Sequence, residues 1–98
     1  MYVNVIKSYR NVVAICDSEL LGKKFEEEKF QLDVKESFFK GEETDKEKTK
    51  KIIRKMAMED STFNIIGEES IKCAIEAGII SKESIKKIQG IPFAFVLM

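Results

Sequence analysis

The stretch IPFAFVLM, residues 91–98, contains only apolar residues. A strand with one face in water alternates apolar and polar residues, whereas a strand covered on both faces does not. We therefore predict a β-strand over 91–98 that lies inside a sheet with cover on both faces. At a sheet edge the same strand would be an aggregation hazard. Pro92 lies near its start, where a missing N–H donor does least harm.

The rest of the chain divides into strand and helix patterns. Alternating apolar residues predict a strand over 30–35, and residues 1–17 read as a strand, a turn and a second strand. Residues 63–66 predict a short strand or an extended turn. Helices are predicted over about 18–28, over about 45–60, from 68 to Gly78, and as a short segment between Ser81 and Gly90.

This order of elements predicts one α+β domain over residues 1–98. We expect a mixed or antiparallel sheet with about four helices packed on it. The chain has 98 residues, of which 44% are hydrophobic, and a formal net charge of zero. Low hydrophobicity and high net charge, which together mark disordered chains, are both absent.

Several chemistries are excluded by composition. The chain has no histidine, which removes His-dependent nucleophilic catalysis and His metal ligation. Cys16 and Cys73 are far apart in sequence and form no Cys-x-x-Cys unit, so we interpret them as buried thiols. We predict neither a cofactor nor a metal site. No apolar stretch approaches the roughly 20 residues that span a bilayer, which predicts a cytoplasmic protein without a membrane partner.

The predicted helix over 45–60 concentrates the basic charge. Between residues 46 and 55 six basic residues stand against one acid, a net charge of +5, so the other 88 residues carry −5. On a helix the apolar residues of this segment share one arc, and the basic residues spread over the opposite arc. This stripe could contact a phosphate backbone, or it could be a solvated face that serves solubility. The candidate nucleic-acid-binding residues are Lys48, Lys50, Lys51, Arg54 and Lys55.

A second candidate is the turn at residues 64–69, NIIGEE. Glycine at a helix entry leaves backbone N–H groups free, and helix starts bind anions. The alternative is a structural turn in which Glu68 and Glu69 satisfy the helix dipole. Because these two acids would also repel a phosphate, the structural interpretation is favoured.

Four short runs are distinctive as a set: CDSELLGKKF at 16–25, NIIGE at 64–68, AIEAG at 74–78 and GIP at 90–92. Together, and in this order, they resemble the small archaeal family of domain of unknown function 424. The family pattern closes on Gly-Val-Pro-His-Ala-Gln, whereas this chain has Phe93 and Phe95 at the His and Gln positions. The resemblance implies a single domain in an archaeal cytoplasm and supplies no reaction. It leaves a motif of unknown role: Asn64, Gly67, Glu68, Gly90 and Pro92.

Three classes of function stay open. The first is a small non-catalytic adaptor that binds RNA, a ribonucleoprotein or a translation component through the basic helix. The second is a protein-interaction module or homodimer with no nucleic-acid role, in which Phe38, Phe39 and the apolar strand over 91–98 form the contact. An enzyme that uses a carboxylate, Lys or Cys comes last, because no catalytic spacing is recognisable.

Overall fold

In the computed structural model, which describes residues 1–98, eight strands and three helices follow one another in mixed order. The strands are β1 (Tyr2–Ile6), β2 (Asn11–Cys16), β3 (Lys24–Glu27), β4 (Phe30–Asp33), β5 (Glu42–Glu43), β6 (Ser61–Ile66), β7 (Lys86–Ile88) and β8 (Ile91–Leu97). The helices are α1 (Glu36–Phe39), α2 (Lys46–Ala57) and α3 (Glu68–Glu76). Two short 3-10 turns cover Ser18–Leu20 and Lys82–Ser84.

Six strands form one sheet in the order β5-β1-β2-β6-β8-β7. β2 and β6 are parallel, and every other neighbouring pair is antiparallel. β3 and β4 form a separate antiparallel hairpin. The architecture is therefore α+β with a mixed sheet, which confirms the predicted class.

α2 and α3 cover one face of this sheet. Their apolar residues recur every three or four positions, which places Ile53 of α2 and Ile71 of α3 on the inner sides of their helices. These side chains pack against Val13, Phe63 and Ile65 of the central strands, all fully buried. The larger hydrophobic core thus lies between the sheet and the two helices.

The opposite face is covered over part of its area only. Leu32 and Val34, from the end of the hairpin, and Phe39 of α1 pack against Cys16 and Ile66 at the carboxyl ends of β2 and β6. Side chains alternate between the two faces along a strand, so this second core uses the residues that the first one does not. It is smaller and lies at one end of the sheet.

The helix predicted over 18–28 is wrong, and with it the count of about four helices. A 3-10 turn is followed by Gly22, which has φ +84°, and by β3. Phe25 pairs with Leu32 across the hairpin, and Glu28 adopts φ +56° at the turn. Leu21 and Phe25 have helical spacing in the sequence, but strand pairing with the next segment determines the structure.

The short helix predicted between Ser81 and Gly90 is also wrong. Only Lys82–Ser84 forms a 3-10 turn, and the chain continues as β7. Gln89 and Gly90 have φ of +49° and +77°, the conformation of a two-residue hairpin turn, which pairs β7 with β8. Ile88 is buried, as expected, but it belongs to a strand and packs in the core on the hairpin side of the sheet.

β8 lies inside the sheet, between β6 and β7, as the sequence predicts. Both faces of β8 are covered, as predicted, only in the first half of the strand. Phe95 is 61% exposed and Leu97 is 70% exposed, because neither the β3–β4 hairpin nor α1 reaches that end of the sheet.

This difference predicts unequal costs for truncating two phenylalanines. Phe63→Ala should lower the free energy of unfolding by about 3–5 kcal/mol, because it opens a cavity in the helix-side core. Phe95→Ala should lower it by less than about 1 kcal/mol, because the ring is largely in water already. Urea unfolding followed by circular dichroism measures both. Equal losses would show that Phe95 is a core residue.

Candidate functional site

The Asp17 side chain binds the first turn of α3. Its carboxylate accepts hydrogen bonds from the backbone N–H of Ser70 at 2.8 Å, from the N–H of Glu69 at 3.1 Å and from the Ser70 hydroxyl at 2.7 Å. Asp17 is only 5% exposed. It therefore acts as an N-terminal cap, although it follows β2 and lies far from α3 in sequence.

Gly67 provides the space that this cap needs. A Cβ atom on Gly67 would lie 2.3 Å from Cγ of Asp17, and the residue has φ +112°. Its N–H donates to the carbonyl of Pro92 at 2.9 Å, while the Asp17 N–H donates to the carbonyl of Ile66 at 3.0 Å. The ends of β2 and β6 are thereby joined to the start of β8, and any side chain at Gly67 would displace the Asp17 carboxylate.

Most residues of the sequence motif meet at this point. Gly67, Glu68, Gly90 and Pro92 line a shallow cleft of about 250 Å3 that Asp17 also borders. The N–H groups of Glu69 and Ser70 at the helix start are already bound by Asp17, and two glutamates adjoin them. The structural interpretation of this turn is thus the one that the geometry favours.

Asn64 lies apart from the other motif residues. It occupies the middle of β6, where it is opposite Phe95 of β8. Sequence proximity to Gly67 suggested a common role, but strand alternation places the Asn64 side chain on the sheet face away from α2 and α3.

Three of the six basic residues of α2 are paired with acids. Lys50, whose side chain is 15% exposed, contacts Glu47 at 2.8 Å and Glu76 of α3 at 3.0 Å, and these hydrogen bonds raise its pKa. Lys46 binds Glu69 at 3.1 Å, which raises the pKa of Lys46. Lys48 pairs with Glu42. Half of the cluster around 46–55 is thus neutralised locally.

Three basic side chains of α2 make no ion pair within the chain: Lys51, Arg54 and Lys55. All three are exposed, and their i, i+3, i+4 spacing places them on one side of the helix. We call these three residues the basic stripe. It is shorter than the five-residue candidate set.

The two cysteines lie on opposite faces of the sheet. Cys16 belongs to the core under the hairpin and Cys73 to the core under the helices. Burial raises the pKa of the Cys16 thiol to about 11 and also raises the pKa of Cys73. Both thiols stay protonated and unreactive near neutral pH.

A surface on the hairpin side of the sheet, beyond the end of the second core, includes part of the predicted contact strand over 91–98. We call it the open face; it consists of Ile6, Val12, Thr62, Asn64, Phe95 and Leu97. Phe95 also contacts the half-buried Phe93, with ring centroids 5.6 Å apart. The sequence predicted a contact through the strand over 91–98, but the unbroken apolar pattern of β8 could not show which of its residues are exposed.

The longest helix, α2, has 12 residues, and no helix of the chain has the length and apolar composition that crossing a membrane requires.

The contact between Asp17 and Gly67 predicts non-additive substitutions. Asp17→Ala should destabilise the fold by about 1–3 kcal/mol through the lost cap and the unpaired Ser70 hydroxyl. Gly67→Ala should cost roughly 3 kcal/mol or more through steric overlap and backbone strain. The double variant should lose less than the sum, because the overlap disappears with the carboxylate. Urea unfolding of all three variants tests this, and strictly additive losses would contradict the assigned contact.

A solved structure has a similar fold, and a family model matches the sequence. The crystal structure of an uncharacterized conserved protein from Methanopyrus kandleri matches with a TM-score of 0.88 at 22% sequence identity, covering 98% of this chain and 89% of that chain. Likeness at this identity concerns the fold alone. No curated protein matches the sequence. A model of the family described as protein of unknown function DUF424 matches residues 6–98, nearly the whole chain, and this protein therefore belongs to the DUF424 family, as the four sequence runs predicted.

Proposed function

We propose that this protein is a small non-catalytic adaptor that binds a partner protein through the open face. The observation that carries the proposal is the exposure of Phe95 and Leu97 on the same side of one strand. Large apolar side chains that stay in water together are typical of interaction surfaces, whereas single exposed ones need no explanation. Phe38 and Phe39, the other predicted contact residues, are half-buried and buried and contribute nothing to this surface.

The open face is continuous across four strands. The strand register places Ile6 opposite Val12, Val12 beside Thr62, and Thr62 opposite Leu97, which gives one row across β1, β2, β6 and β8. A second row ends on Asn64 and Phe95. Neighbouring strands lie about 4.8 Å apart, so the first row spans roughly 15 Å.

The chemistry of this surface defines the partner. None of its six residues is charged. Phe95 and Leu97 offer apolar contact, while Thr62 and Asn64 offer a hydroxyl and an amide beside them. We expect a partner segment with aromatic or aliphatic side chains and one or two hydrogen-bonding groups, a composition typical of the centre of protein interfaces.

Site-specific photo-crosslinking tests this function. A photoreactive phenylalanine at position 95 should give a discrete adduct with one partner protein in a lysate of the source cells. The same group at Met58, which is 89% exposed beside the other face of the sheet, is the matched control. Adding Val12→Asp to the position 95 variant should abolish the adduct, because it puts a charge into the centre of the surface. Identical adducts from both positions, or none from position 95, would contradict the proposal.

A second candidate function is binding to a ribonucleoprotein through the basic stripe. The observation in its favour is that Lys51, Arg54 and Lys55 are exposed and carry no ion-pair partner. Three cations can neutralise about three phosphates, so the binding would be weak, with a log–log salt slope of roughly −2 to −3. Lys48 and Lys50 would have to break existing ion pairs in order to contribute.

Charge reversal separates this candidate from the first. If this candidate is right, the unmodified protein sediments with ribosomes in a low-salt sucrose gradient. The triple variant Lys51→Glu, Arg54→Glu and Lys55→Glu should then be absent from the ribosomal fractions. A matched triple reversal of exposed lysines elsewhere, at Lys82, Lys86 and Lys87, should still be present in them. If both triples sediment like the unmodified protein, or if the unmodified protein stays at the top of the gradient, this candidate is wrong.

A further inference from the structure

The outer edge of β8 is open beyond Phe93. β7 pairs with β8 from Ile88 opposite Ile91 to Lys86 opposite Phe93 and no further. The residue before β7, Ile85, packs towards the helix-side core, and its N–H bonds back to the carbonyl of Lys82 at 3.2 Å. The chain therefore leaves the sheet edge at this point, and no strand lies beside residues 94–98 on that side.

The backbone of this open edge is directed outward at two residues. The carbonyl of Pro92 accepts from Gly67, and the N–H of Met98 donates to Ser61, both at 2.9 Å. Even-numbered residues of β8 thus direct their backbone groups towards β6. Because these directions alternate along a strand, the odd-numbered residues Phe95 and Leu97 direct their N–H and C=O groups towards the open edge.

The free part of β8 lacks the features that protect the two outermost strands, β5 and β7, from pairing with another chain. The outermost strands of the sheet are only two and three residues long and carry charges, two glutamates in β5 and two lysines in β7. Short length and charge discourage pairing with another chain. Residues 94–98 have neither charge nor proline. The free stretch is therefore competent to pair with a further strand.

We propose that two copies of this protein pair through their β8 edges, antiparallel and about a two-fold axis at Val96. The outward-directed residues of β8 beyond Phe93 are Phe95 and Leu97, so an axis midway between them, at Val96, pairs both with the second copy. Phe95 of one copy then lies opposite Leu97 of the second copy, and each such pair exchanges two N–H···O=C hydrogen bonds. The proposal goes beyond the proposed function, because the pairing is made by the backbone edge of β8, and the open face contributes only the Phe95 and Leu97 side chains beside that edge.

A second copy fits this edge better than a chain of other composition. The interface is isologous, so both copies contribute the same short free stretch and can pair over the same length. No charged residue lies in it, so like charges do not meet across the axis. Phe95 and Leu97 form aromatic–aliphatic cross-strand pairs, which stabilise antiparallel strands. A contact of a few residues from each copy is small beside a stable protein interface, so we expect a weak dimer that forms only at high protein concentration.

Sedimentation equilibrium over a wide concentration range tests the dimer. The mass should rise from 11.2 kDa towards twice that value as the concentration increases. Leu97→Pro removes one outward N–H and should stay monomeric, since an edge strand tolerates proline where that N–H faces solvent. Leu97→Val keeps the N–H and an apolar side chain and should still dimerise. Circular dichroism checks that both variants are folded.

An engineered cysteine tests the position of the axis. With the axis at Val96, the two 96 positions form a non-hydrogen-bonded pair with Cα atoms about 4.5 Å apart, which a disulfide can span. Val96→Cys should therefore give a disulfide-linked dimer under mild oxidation, while Met58→Cys should not. The native cysteines are buried and do not interfere.

A protein that stays monomeric to 1 mM, or a Leu97→Pro variant that dimerises like the unmodified protein, would overturn the proposal. Val12→Asp disrupts the open face but lies on β2, away from the β8 edge, so this variant should still dimerise. The mass of any adduct from position 95 distinguishes a foreign partner from a second copy. A dimer that forms without any foreign adduct rejects the adaptor function and leaves the dimer standing, whereas a foreign adduct without dimerisation rejects the dimer and leaves the adaptor function standing.

Discussion

The hydrogen bonds that the Asp17 carboxylate accepts from the start of α3 depend on the parallel pairing of β2 and β6. Parallel strands end at the same edge of a sheet, so the residue after β2 lies beside the residue after β6. Those residues are Asp17 and Gly67, and the absent Cβ of Gly67 leaves room for the carboxylate. α3 is thereby fixed over the sheet, and Glu69 and Glu76 on α3 are placed where they bind Lys46 and Lys50 of α2.

This placement explains why a basic segment gives only a modest basic surface. The sequence shows a net charge of +5 between residues 46 and 55, but charges that are distant in sequence meet when α3 packs beside α2. Lys50 lies between Glu47 and Glu76 and is largely covered. Exposed ion pairs contribute little to stability, and their consequence here is electrostatic: they confine uncompensated positive charge on α2 to Lys51, Arg54 and Lys55.

The sequence predicted the elements whose pattern is long and regular. β1, β2, β4, β6, β8, α2 and α3 all appear within a few residues of the predicted ranges. The helices predicted over 18–28 and 81–90 were wrong. The spacings of Leu21 and Phe25 and of Ile85 and Ile88 are compatible with a helix and with a hairpin, and pairing with the partner strand decides between the two. Asp17 directly precedes the helix that was predicted over 18–28, but it caps α3, and only the register of β2 and β6 shows which helix start it reaches.

The two unpartnered surfaces of this protein meet at one pair of residues for a single physical reason. The β3–β4 hairpin and β7 both pack against the first half of β8, and both stop near Phe93. Beyond that point the strand loses cover on its face and pairing at its edge together, so Phe95 and Leu97 expose side chains in one direction and backbone groups in another. A charged side chain at either position would discourage both kinds of contact. The two proposed contacts, one through the open face and one through the edge, therefore depend on the same two uncharged residues.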